Sequence, residues 1–83
     1  MVRTLYSALE GTVVRETGEP GKPEGAVMLS GAEYTVDGSY NSVGTDFWIP
    51  KSVLHEDSLD VVEESATGEE IEIYVADWWL RSQ

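Results

Sequence analysis

Ser52, His55 and Asp57 place on one short segment the side-chain types of a nucleophile, a base and a carboxylate that orients the base. A working triad is assembled from elements that set the base against the nucleophile in a pocket, and three residues this close together do not meet that requirement. His55 is the single histidine and cysteine is absent, so the sequence offers no zinc ligand set. The neighbours Glu63 and Glu64, or Glu69 and Glu70, could act as acid and base only by converging on one cleft with separated pKa values. Adjacent residues of a strand point instead to opposite faces. The calcium pattern D-x-[DN]-x-[DN]-G is missing, and no glycine-rich phosphate loop opens a helix. The expectation is a protein that is not an enzyme and uses no metal or cofactor.

Charge is the more informative chemistry. Sixteen acids against five bases give a net charge of −11. The imbalance is uneven: from Ser52 to Leu80 there is no Lys or Arg, while Glu56, Asp57, Asp60, Glu63, Glu64, Glu69, Glu70, Glu72 and Asp77 accumulate. A disordered acidic tail would be poor in aromatic and β-branched residues, whereas this chain has three Trp, four Tyr and many Val and Ile. A folded domain with one strongly negative surface region is therefore expected. Trp48, Trp78, Trp79, Tyr34, Tyr40 and Tyr74 could stack bases, but such platforms lie in basic grooves. At this net charge the phosphate contribution to affinity is repulsive, which argues against direct nucleic-acid binding.

Positioning these residues falls to short strands. The chain, 83 residues long, has room for one domain with a thin core, because a domain of this size buries only about 60% of its unfolded surface. Leu5, Leu9, Val13 and Val14 fall near helical spacing, but Gly11 and the β-branched Thr12-Val13-Val14 predict a strand from about Leu9 to Glu16. Two prolines and three glycines make residues 17–25 a mobile surface loop, most simply joining that strand antiparallel to a buried one at Ala26–Ser30. Ala32 to Asp37 alternates strictly and ends in an Asp37-Gly38 turn. Ser39 to Thr45 reads as polar and turn-like. Phe47-Trp48-Ile49 is a strand that Pro50 ends or confines to a sheet edge, and Val53, Leu54, Leu59, Val61 and Val62 suggest one more broken strand. Glu69 to Val75 is the clearest strand, with Ile71, Ile73 and Val75 inward and Glu70, Glu72 and Tyr74 outward. Asp77 then caps a terminal helical turn carrying Trp78, Trp79 and Leu80. The fold class is mostly β: a small antiparallel sheet, curled into a partial barrel or sandwich, with a short C-terminal helical turn. An α+β layout with a helical N-terminus stays open.

No apolar run approaches the ~20 residues of a membrane helix, and the opening residues lack the pattern of an export signal. A cytoplasmic setting is the simpler expectation. The segment Trp48-Ile49-Pro50-Lys51-Ser52, with the acidic strand and the closing Trp78-Trp79-Leu80, resembles a loose group of small phage and prophage proteins. These carry a Trp-(Ile/Leu)-Pro-Lys-Ser strand end and a Trp-rich terminus. The likeness covers roughly Phe47 to Leu80 and implies a mobile-element origin and a compact β fold; the group has no established activity to carry over.

In composition the chain also resembles acidic anti-CRISPR and related anti-defence proteins. The function expected from these features is inhibition of a basic, nucleic-acid-binding host protein by imitation of nucleic-acid charge. Its partner-binding residues are expected among Glu56, Asp57, Asp60, Glu63, Glu64, Glu69, Glu70, Glu72, Tyr74, Trp78 and Trp79. The alternatives are an accessory phage protein that self-associates, as a homodimer for instance, through its Trp-rich end, and a single-strand nucleic-acid binder.

Overall fold

A computed structural model describes residues 3–20, 22 and 24–83. The order is β1 (Tyr6–Glu16), β2 (Ala26–Val36), β3 (Ser39–Val43), β4 (Phe47–Pro50), a 3₁₀ turn (Lys51–Val53), α1 (Glu56–Glu64), β5 (Glu70–Ala76) and α2 (Asp77–Leu80). The strands form one antiparallel sheet in the order β3-β2-β1-β5, and β4 pairs with β2 beyond the stretch that β3 occupies. The fold is mostly β with a short C-terminal helix, as the alternation of apolar residues requires. The sheet is open, not closed into a barrel.

Several local expectations are corrected. β1 starts at Tyr6, so the N-terminal part is strand and not helix. β2 runs unbroken through Gly31, whose φ of 62° lets β2 place two residues, Gly31 and Ala32, opposite Gly11 of β1. Residues 39–43, expected as a turn, are a strand, because the two-residue turn at Asp37 (φ 53°) and Gly38 (φ 79°) folds them directly onto β2. The broken strand expected around Leu59 to Val62 is helix α1. Its start is capped by His55, whose Nδ1 accepts from the Asp57 N–H at 3.2 Å, and Glu56 and Asp57 suit the positive helix end. Asp77 does not cap α2 through its side chain; it accepts instead from Ser7 Oγ at 2.5 Å. Of the loop at 17–25, Gly21 and Pro23 lie outside the described residues, and Thr17 closes its base against Ala26.

The core lies on one face of the sheet. Leu9, Leu29, Tyr34, Ile49, Ile73 and Val75 meet Val62 of α1 and Leu80 of α2 there, with Val53 and Leu54 from the connection. The outer edge of β5 is covered: the Tyr74 N–H donates to Ser58 Oγ at 2.8 Å, and the His55 N–H donates to the Tyr74 carbonyl at 2.9 Å. No helix of the described residues is long and apolar enough to cross a membrane.

Candidate binding face

The alternation that buries Leu9, Tyr34 and Ile73 turns their neighbours to solvent on the opposite face. Glu10 of β1 stands opposite Glu33 of β2 and also opposite Glu72 of β5, so three carboxylates form a row across three adjacent strands. Neighbouring strands are about 4.8 Å apart, and like charges directly opposite each other destabilise a sheet. Glu70 lies two residues along β5 from Glu72, about 6.7 Å away on the same face, opposite Thr12. Between the Glu10 row and Glu70 runs a shallow groove floored by Gly11 and Gly31.

Tyrosines flank the row. The Tyr74 hydroxyl donates to Glu72 Oε1 over a long 3.4 Å. Tyr40 lies beside Glu33, and hydrogen bonding to that carboxylate, with desolvation and its charge adding, raises the Tyr40 phenol above its ordinary pKa. Both rings are exposed.

The ion pairs lie elsewhere. The ion pairs of the described residues join Lys22 to Glu19, Lys51 to Glu16 and Arg81 to Asp37 and Asp77, with His55 near Asp57; none reaches Glu10, Glu33, Glu70 or Glu72. The row is therefore a set of solvent-facing carboxylates held in register, with no ion pair to any of them among the described residues.

The structure divides the residues singled out from sequence. Glu70, Glu72 and Tyr74 lie on this face. Glu56, Asp57, Asp60, Glu63 and Glu64 sit on α1, which packs against β5 beside the core, so they do not extend the row as the expected strand would have. Glu69 is in the turn before β5, with its carbonyl accepting from the Val13 N–H at 2.9 Å. Trp79 packs against Phe47 with ring centroids 5.5 Å apart, whereas Trp78 is 60% exposed. Glu10 and Glu33 were missing from the expected set. Their signal was in the alternation of β1 and β2, each beside a core residue, but the charge density of the second half outweighed it.

Ser52 is exposed on the 3₁₀ turn, and His55 spends Nδ1 on its cap while its ring meets Tyr6 edge-on at 5.0 Å. Among the described residues, no group of three or more His, Asp or Glu is placed to hold a metal ion. What the fold and face define is a small open-sheet domain with an acidic face. Compared with known proteins, the chain matches no family model, no curated protein and no solved structure.

Proposed function

We propose that this protein is a non-catalytic binding domain whose acidic sheet face occupies the basic groove of a nucleic-acid-binding protein and so competes with the nucleic acid. The observation that carries the reading is the row Glu72–Glu10–Glu33. Three like charges in register oppose folding, and no ion pair among the described residues relieves them; a partner's Lys and Arg would. Spacings of about 4.8 Å across strands and about 6.7 Å along one present carboxylates at intervals comparable with phosphates along a nucleic-acid backbone. Tyr40 and Tyr74 add ring faces on which an arginine can stack. The likeness of residues 47–80 to phage proteins extends the reading to a host defence protein, such as a CRISPR effector, as the target.

A second reading rests on Trp78, the exposed member of the terminal pair, as an anchor for self-association. Direct single-strand binding is disfavoured by the same geometry, because Tyr40 and Tyr74 lie beside carboxylates that repel phosphate.

The test is capture from bacterial lysate at low salt followed by elution with a short DNA duplex. Charge mimicry predicts that basic nucleic-acid-binding proteins are retained, are released by the duplex, and are not retained by a Glu10→Gln, Glu33→Gln, Glu72→Gln triple variant. Equal retention by that variant would sink the proposal.

A further inference from the structure

We propose that two copies of this chain pair through the outer edge of β3, in antiparallel register about Asn41. β3 is the terminal strand of the sheet and pairs only with β2. The turn at Asp37-Gly38 makes Val36 and Ser39 a hydrogen-bonded pair, and alternation from there turns Ser39, Asn41 and Val43 toward β2. The N–H and C=O groups of Tyr40 and Ser42 therefore face outward, and no described backbone group outside the sheet bonds to them. The contrast with β5 is direct, since its edge is closed by His55 and Ser58.

Natural sheets blunt an open edge with Lys, Pro, a bulge or a covering segment. β3 uses none of these: Ser39-Tyr40-Asn41-Ser42-Val43 contains no charge and no proline, and its pairing with β2 is regular. Residues 38–45 are also free of charge in a chain of net −11. Two such chains repel each other over most of their surface, and this edge lets their backbones meet without setting carboxylate against carboxylate. A second copy fits it by its own chemistry. With the two-fold axis at Asn41, Tyr40 of each copy stands opposite Ser42 of the other, and each of the two pairs exchanges two main-chain hydrogen bonds.

Antiparallel pairing about an axis normal to the sheet keeps both acidic faces on one side. The two rows then lie in an eight-strand path β5-β1-β2-β3 and its repeat, spanning about 34 Å, which matches about one turn of duplex DNA. The meaning of that joined face rests on the proposed charge mimicry; the dimer itself does not.

Sedimentation velocity of the full chain over a range of concentration, at low and high salt, tests the dimer. A dimer that strengthens with salt is expected, because screening relieves repulsion between the chains while the edge bonds are uncharged. Binding of a basic partner weakens with salt, so the two proposals fail separately. Ser42→Pro removes an outward N–H in each copy, and the dimer dissociation constant should rise about tenfold or more. Asn41→Asp, which sets two carboxylates directly opposite each other on the two-fold axis while its neighbour within the chain is Tyr34 and not an acid, should dissociate the dimer and decides the matter if the proline variant does not fold. A monomer at every concentration and salt would overturn the inference. So would a dimer that survives both the Ser42→Pro and the Asn41→Asp variants, or one that only Trp78→Ala dissociates.

Discussion

Glu10 lies directly opposite Glu33 across the β1–β2 pair, and both carboxylates face solvent. Their repulsion, doubled for Glu10 by Glu72 on its other side, opposes folding. Glu10→Gln should therefore raise stability, by about 0.5 to 1 kcal/mol at low salt, since cross-strand pairs are worth roughly 0.2 to 1 kcal/mol each. Urea denaturation at low and high salt checks it, and the gain should shrink as salt screens the row.

Ser58 ties α1 to the sheet. Its hydroxyl is buried and accepts from the Tyr74 N–H, so Ser58→Ala leaves a donor of β5 unsatisfied at the strand's covered edge. A loss of about 1 to 3 kcal/mol is expected in denaturant unfolding. Ser52→Ala, on the exposed face of the 3₁₀ turn, should change stability by less than about 0.5 kcal/mol.

Lys51 is buried, with Nζ 2.8 Å from Glu16 Oε2 but off the direction of a hydrogen bond, and Nζ makes no other hydrogen bond. Removing one member of a buried pair strands the other. Glu16→Gln should cost about 2 to 3 kcal/mol, somewhat below the roughly 3 to 5 kcal/mol of fully buried pairs because the Glu16 side chain is 31% exposed. Lys51→Met, which leaves only the partly exposed carboxylate, should cost less. Thermal unfolding of both variants gives the order, and the reverse order would show that Lys51 is held by something other than Glu16.

Much of this arrangement was legible in the residues. The alternation of 69–75, the Asp37-Gly38 turn, the edge position of Pro50 and the helical turn at Trp78-Trp79-Leu80 follow from side-chain period and backbone chemistry. Helix α1 was not, because β-branched Val61 and Val62 read as strand and its cap is a histidine, not the usual Ser, Thr, Asp or Asn. β3 was not, because Ser39, Asn41 and Ser42 carry no strand preference of their own and take their form from pairing with β2. For the site, Glu70, Glu72 and Tyr74 were placed on the outward face by period alone. That Glu10 and Glu33 fall in one row with Glu72 depends on which strands are neighbours, which is a long-range fact.

Arg81 grips Asp37 at two points, Nε to Oδ2 at 2.6 Å and the second guanidinium nitrogen to Oδ1 at 2.9 Å. Hydrogen bonding from Arg81, with its charge adding and desolvation opposing, holds the Asp37 carboxyl below its ordinary value. The stability this pair contributes is thus present above the ordinary carboxylate range and is lost as pH falls through the lowered value. In Arg81→Ala that loss should be missing, so its stability should fall less steeply below about pH 4 than the parent's. Chemical denaturation across acid pH reads the difference in slope.

The central claim is that the sheet row, and not net charge at large, engages basic groups. Two variants with the same charge change separate these: Glu10→Gln, Glu33→Gln, Glu72→Gln on the sheet, and Asp57→Asn, Asp60→Asn, Glu64→Gln on α1. Each is titrated by calorimetry with an arginine-rich peptide at physiological salt. The sheet variant should lose about tenfold or more in affinity, since charge pairs at an interface are worth about 1.5 kcal/mol or more, while the helix variant stays near the parent. Equal losses in the two variants would contradict the account.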